Sequence, residues 1–348
     1  MSAPNAPKPP NRFGSVRPKP ISLSAEHLVR SRPLFEDEGW PLLVEPAVEH
    51  VELVSWAGSQ RGEVERLLLR HGAILFRGFR VAGADEFEQF ARAVSPDLLD
   101  YRERAAPRHE VGNHIYTSTE YPADQRILLH HEMSYSHNWP TKIWFFCAQA
   151  AREGGATPIA DDRKVFPRLD PAIRELFTRK KVMYVRNYGD GLDLPWQDVF
   201  QTSEKAKVEE YCRRSYTEFE WKEGDRLRTR QVRQAVATHP RTGDTVWFNH
   251  AHMFHQSSLD AEVRASLAAE FGDDIPRDAF YGDGSPIEDA VLDEIRRVYR
   301  ESAVTFRWQE GDILMLDNFL SSHGREPFAG PRRILVAMAE LYTNREFC

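Results

Sequence analysis

Only three cysteines occur in 348 residues, Cys147, Cys212 and Cys348, and they show no paired spacing. A disulfide framework is therefore not expected, and a reducing cytoplasm is the expected compartment. No apolar run approaches the ~18 residues that a membrane-spanning helix requires, and the N-terminus lacks the apolar core of a signal peptide. A basic stripe is also missing. The net charge is −7 and the arginines are interspersed with acids, which argues against nucleic acid as a partner. No phosphate-cradling glycine loop, P-loop or nucleophile elbow appears, so nucleotide-dependent and hydrolase chemistries have no footing. There is no internal repeat. What is present is the composition of a globular enzyme with many aromatics, in a chain long enough to bury a large core.

Residues 1–20 contain no acid and are rich in proline and basic residues. Residues 1–25 are accordingly read as a flexible arm, with 26–348 as a single domain. Apolar spacing predicts helices over 64–69, ended by Gly72, and over 84–94, stopped before Pro96. It predicts further helices over 203–215, 260–271 and roughly 286–300, and a short one opened by Asp170-Pro171. Strands are predicted over 73–79, 143–147, 156–160, 304–308, 313–316 and 334–339. Strands and crossover helices do not alternate regularly, which disfavours a doubly wound sheet. The expected fold is mainly β with helical insertions, a double-stranded β-helix or jelly roll. Its long helical insertion, about 165–300, is expected to cover the site.

The richest local pattern is His130-His131-Glu132. On an extended strand, residues i and i+2 point to one side, which sets the imidazole of His130 beside the carboxylate of Glu132 and turns His131 away. Two histidines and one carboxylate form a facial triad that leaves open positions on Fe(II). His323, after the Gly311-Asp312 strand and Asn318, is the third candidate ligand. Arg333, ten residues further on, is the candidate partner for a cosubstrate carboxylate, because a guanidinium fork holds a carboxylate bidentately. A His-x-Glu tripeptide alone is commonplace. His250, His252 and His255 form a rival cluster, but it lacks a nearby acid. The polar loop with Arg104, Asn113, Thr117, Thr119 and Glu120, together with Asn249 and His250, supplies candidate substrate contacts.

These motifs recur in order in a known family. The chain resembles the TauD/TfdA-type Fe(II)/2-oxoglutarate-dependent oxygenases, in their clavaminate-synthase-like branch and nearest the syringomycin-type amino-acid hydroxylases of nonribosomal peptide pathways. The matching segments are 72–79, 116–122, 130–135, 154–161, 247–249 and 311–338, within roughly 40–343. The resemblance implies that His130, Glu132 and His323 bind Fe(II), and that Arg333 pairs with the distal carboxylate of 2-oxoglutarate. It also implies that the Thr157 hydroxyl bonds the same carboxylate, with Arg332 on the other strand face. O2 is the second cosubstrate. Many members have Asp where Glu132 stands. Sulfonate users carry a second arginine where Ala337 stands, and halogenating relatives have a small residue in place of Glu132, so neither activity is expected.

The implied reaction is hydroxylation of an unactivated C–H in secondary metabolism, with desaturation or cyclisation drawing on the same residues. The implied substrate is an amino acid or a derivative of one. A carrier-bound form would dock on Arg102, Arg104 and Arg108 or on the Arg226–Arg230 cluster; a free amino acid or small natural product is the alternative. From another class, a non-catalytic jelly-roll sensor would be expected to have lost part of this residue set.

Overall fold

The computed structural model describes residues 27–100, 108–118, 121–189, 191 and 193–344. The expected N-terminal arm lies outside the described residues. The chain is rich in sheet, with helices set around it. An eight-stranded sheet runs in the order Val29–Pro33, Leu42–Pro46, Ala73–Phe76, Ile313–Asp317, Asn138–Gln149, Arg333–Thr343, Ile115–Thr117 and Glu110–Gly112. Its pairings are antiparallel except for Leu42–Pro46 against Ala73–Phe76. A three-stranded sheet sets Ser321–Arg325 between Ile127–His130 and Ile159–Asp161.

Both faces of the large sheet are buried, which is why its central strands are almost unbroken apolar runs. Leu314, Leu316, Phe145, Cys147, Ile334 and Val336 face one core, together with Ile159 of the small sheet. Ile313, Met315, Trp144, Phe146, Leu335 and Ala337 face the other. The second core is closed by the helices Leu53–Ser59, Arg61–His71 and Ala84–Val94. Phe87 stacks on Phe146 at 5.3 Å, and each fully buried side chain of this size contributes about 1.5–3 kcal/mol. Gly72 ends the Arg61–His71 helix in the left-handed region, φ 73°, with its N–H on Leu68 O. A glycine is favoured at that position for its conformational freedom.

Two stretches differ from the sequence reading. The 165–300 insertion is not purely helical. Besides helices such as Pro171–Lys180 and Asp289–Ser302, it holds a four-stranded antiparallel sheet in the order Glu218–Lys222, Arg226–Arg233, Val182–Tyr188, Arg277–Tyr281. In the Arg226–Arg233 strand, intermediate and buried residues alternate strictly; this is the period of a strand whose long polar side chains lie along one face. Residues 304–308 form no regular strand. Only Val304 bridges to Ile159, while Phe306 and Trp308 sink into the first core.

Candidate metal centre and its cavity

His130 ends its strand directly opposite His323. Their rings lie 4.5 Å apart, and the ring of Phe145 on the large sheet lies 4.8 Å from that of His323. The space between the two sheets is therefore where the ligands meet. Gly324 lets the strands approach: a Cβ there would fall 2.6 Å from the Ile127 carbonyl oxygen. Glu132 arrives by a route the sequence does not announce. The strand stops at His130, residues 132–135 turn, and Met133 adopts φ 59°, an unusual conformation for a bulky residue and one that tends to occur at functional sites.

Asn318 holds that turn. Its Oδ1 accepts from the Glu132 N–H at 2.8 Å. Its Nδ2 donates to the carbonyls of Glu132 and Pro140 at 2.9 and 2.8 Å. Its own carbonyl lies 2.7 Å from His131 Nδ1. His131 thus faces away from the ligands, with Nε2 3.2 Å from the buried Asp162.

Ligand atoms of His130, Glu132 and His323 lie within 4.8 Å of one another, and they form the one such group among the described residues. The donor set suits Fe(II): two imidazole nitrogens and one carboxylate on one side, with coordination positions left over. His130 Nδ1 lies 2.8 Å from the Leu128 carbonyl. Donation there fixes the tautomer and leaves Nε2 as the ligating lone pair. Burial holds the His130 and His323 imidazoles below their ordinary pKa, so both are available as neutral ligands. Arg108, itself buried, donates to Glu132 Oε2 at 2.8 Å.

The centre opens into a cavity. An inner pocket of about 30 Å³ is lined by His130, His323, Phe145, Thr157, Arg108 and Arg332, among others. It shares Ser118, Arg325, Arg332 and Ile334 with an outer cavity of about 480 Å³. Thr157 is buried here, and its hydroxyl accepts from Trp308 Nε1 at 3.1 Å.

The two C-terminal arginines stand at different depths. Arg332 lines the inner pocket, while Arg333 is exposed and reaches only the outer cavity. Ile334, Val336 and Met338 face the core that contains the site; the strand begins at Arg333, with an irregularity in its pairing between Arg333 and Ile334, and Arg332, just before it, lines the inner pocket. Arg332 donates to the Gly155 carbonyl at 2.9 Å and to Ser118 Oγ at 3.5 Å, and stacks over Phe328 at 5.4 Å. Burial, reinforced by Arg325, brings its guanidinium pKa down to about 10. Arg325 donates to the carbonyls of Tyr121, Pro122 and Gln125. Neither arginine meets a carboxylate among the described residues. Arg325 carried a signal in the sequence, two residues beyond a ligand and therefore on the same strand side.

The expected substrate contacts fare unevenly. Arg104 and Thr119 lie outside the described residues. Thr117 lines the outer cavity, and its hydroxyl accepts from the His109 N–H. Asn113 is exposed on a turn against the Ala84–Val94 helix, where it donates to Glu88, and lines neither part of the cavity. Asn249 is occupied by the backbone: it donates to Ala235 O and accepts from Ala251 N–H. His250 backs the ligand His130, with ring centroids 5.3 Å apart and Nδ1 2.6 Å from Ser134 Oγ. The rival cluster does not form, since His252 bonds Leu129 O and His255 bonds Ser257. Of the proposed docking arginines, Arg102 too lies outside the described residues, and the others apart from Arg104 are taken up. Arg228 and, more loosely, Arg226 pair with Asp274, Arg230 stands 4.0 Å from Glu220, and Arg108 is buried. Among the described residues no helix is long and apolar enough to cross a membrane.

Comparison with known proteins agrees with this centre. The family model described as "Taurine catabolism dioxygenase TauD, TfdA family" matches residues 33–338. The dapdiamide synthesis protein DdaC of Enterobacter agglomerans is 41% identical over 285 residues, covering 81% of this chain and 87% of DdaC. A clavaminate synthase-like protein of Arabidopsis thaliana is 30% identical over 325 residues, covering 88% of this chain and 95% of that one. The solved structure of PvcB, described as an Fe, alpha-ketoglutarate dependent oxygenase from an isonitrile synthetic pathway, shares the fold. It has a TM-score of 0.54 at 17% identity, covering 92% of this chain and 94% of PvcB. With a family match across most of its length and the His130–Glu132–His323 centre in place, the chain belongs to the TauD/TfdA family of dioxygenases, which work with Fe(II), 2-oxoglutarate and O2.

Proposed function

We propose that this enzyme hydroxylates an unactivated C–H of an amino acid, or of a small molecule derived from one, in a biosynthetic pathway. In this reading the eight- and three-stranded sheets are the two layers of a jelly roll, and the ligands sit between them. The observation that carries the proposal is the triad at the inner end of a cavity whose wall presents Arg332 with no carboxylate among the described residues to pair with. A half-buried cation of that kind suits an anionic ligand.

Bound Fe(II) with 2-oxoglutarate and O2 supplies the oxidising power, which no side chain could provide. The chain's own residues do the rest. His130, Glu132 and His323 hold the metal from one side. Arg332 receives the distal carboxylate of 2-oxoglutarate, with the Thr157 hydroxyl beside it. Phe145 and Ile334 keep water off the inner pocket, and the outer cavity admits the substrate and sets which C–H lies nearest the metal. The biosynthetic role of DdaC, as its name gives it, supports a pathway enzyme. A free substrate is favoured over a carrier-bound one by the ion-paired state of Arg226 and Arg228 and the burial of Arg108.

The test is succinate release from 2-oxoglutarate under air, with a panel of amino acids. At least one amino acid should stimulate it well above the uncoupled rate, and His130→Ala should abolish the stimulation. Amino-acid-independent turnover throughout the panel would contradict the substrate class.

A further inference from the structure

A second set of buried polar side chains meets outside the cavity, against the core shared with the helix Asp289–Ser302. The strand Ile159–Asp161 ends, and the helix Asp162–Arg168 begins, at Asp162. An acid in the first turn of a helix normally stays in water, where it complements the positive helix end. Asp162 is instead fully buried. Its Oδ2 accepts from the Ser322 N–H at 2.8 Å. Its Oδ1 accepts from the Tyr299 hydroxyl at 3.1 Å and lies 3.2 Å from His131 Nε2. Ser322 directly precedes the ligand His323, and His131 stands between the ligands His130 and Glu132. One carboxylate therefore ties both ligand-bearing segments together from behind.

Tyr299 belongs to the helix Asp289–Ser302 of the insertion, and that helix reaches a third neighbour of a ligand. Arg296 Nε donates to the His252 carbonyl at 2.9 Å, the His252 ring packs on Tyr299 at 5.0 Å, and His252 Nε2 lies 2.9 Å from the carbonyl of Leu129, the residue before His130. A carboxylate in the core is costly unless it is well partnered, and its hydrogen bonds are stronger than those of a neutral side chain of the same shape. Asp162 thus holds the two strands more tightly than an amide could.

We propose that Asp162 is a positioning residue for the metal centre: its carboxylate fixes the spacing of His130 and His323 and, through Tyr299, links that spacing to the insertion. This rests on the metal-binding part of the reading above and not on 2-oxoglutarate. The two imidazoles sit on neighbouring strands, 4.5 Å apart between ring centroids, and a site that loosens by about 0.5 Å loses its productive geometry.

The test is anaerobic equilibrium dialysis of the full chain against Fe(II) alone, at a temperature where circular dichroism shows each metal-free variant folded. Asp162→Asn keeps the shape and removes the charge. Tyr299→Phe keeps the ring and removes the hydroxyl. Leu292→Ala, on the same helix and in the same core, lowers stability without removing any of these bonds. Asp162→Asn should weaken Fe(II) binding at least tenfold, and Tyr299→Phe by a smaller factor. The double variant should lose no more than Asp162→Asn alone, because Tyr299 acts through that carboxylate. Leu292→Ala should stay within about twofold of wild type. Wild-type affinity in Asp162→Asn overturns the proposal, and so do additive losses in the double variant. A loss in Leu292→Ala as large as in Asp162→Asn assigns the effect to general stability and overturns it too. Should Asp162→Asn not fold, unchanged affinity in Tyr299→Phe overturns it. A wild-type protein that binds no Fe(II) refutes the metal centre itself, and the proposal with it.

Discussion

Arg332 and Arg333 carry the same charge but line different parts of the cavity, so replacing each by alanine separates a specific contact from a merely cationic surface. Arg332 is half-buried against Phe328. A carboxylate about 4 Å from a guanidinium gains about 4 kcal/mol at an effective dielectric constant of ~20, and truncating one partner of a buried, hydrogen-bonded pair costs about 2–5 kcal/mol. A loss of about 3 kcal/mol corresponds to roughly 100-fold in Kd. Arg333 is exposed, and a surface charge of that kind is worth at most about 1 kcal/mol, a few-fold. The assay is anaerobic titration of the Fe(II)-loaded variants with 2-oxoglutarate, read by the chelate's absorption band. Arg332→Ala should weaken 2-oxoglutarate by about two orders of magnitude and Arg333→Ala by no more than a few-fold. A larger loss in Arg333→Ala would mean that Arg333, and not Arg332, meets the cosubstrate, and the placement argued here would be wrong.

Asn318→Ala removes the side chain that bonds both main-chain groups of Glu132. Leaving such buried groups unsatisfied costs about 1–3 kcal/mol each, so denaturant melts should show a loss of about 2–6 kcal/mol, and equilibrium dialysis an Fe(II) affinity lowered about tenfold or more. Gly324→Ala brings a Cβ against Ile127 O and should part the His130 and His323 strands; undiminished iron stoichiometry in a folded variant would refute the close-approach argument. Asp193 is 7% exposed in its side chain. Burial alone would raise its pKa, but Arg277 and then Arg186 outweigh burial and hold it at about 2. With a depressed folded pKa, its contribution, about 2 kcal/mol, is present above pH ~4 and is lost as the pH falls through about 2. Asp193→Asn should therefore cost stability at neutral pH and flatten the acid limb of stability against pH.

Much of the scaffold was legible because local signals agree with tertiary demands. The Gly72 stop, the helix over Ala84–Val94 and the apolar strands at 313–316 and 334–339 are all where the spacing puts them. The triad was legible because its histidines lie at strand positions. The face of the C-terminal strand was not. Residues 334–339 are apolar on both sides because both sides are buried, so no polar alternation marks which of Arg332 and Arg333 turns inward. Glu132 reaches the site by a turn and not along a strand, and Asn318, 186 residues away, supplies the bonds that make the turn hold. The insertion's sheet was hidden by charged residues at strand positions 218–233, which read as surface until Lys222 and Arg228 are seen pairing with Asp274, and Arg228 with Asn187. Asn113 and Asn249 looked like substrate contacts because they are polar residues near motifs; the structure gives both to turn and backbone bonding.

The central claim is that His130, Glu132 and His323 together hold one Fe(II) on which 2-oxoglutarate chelates. The most direct measurement is anaerobic titration of the metal-free protein with Fe(II) and then 2-oxoglutarate, in wild type and in His323→Ala. The account predicts about one iron per chain in wild type, a visible charge-transfer band only when both are present, and neither in the folded variant. Iron bound without the band would contradict the chelate, and iron bound equally well by His323→Ala would place the metal somewhere other than between these two sheets.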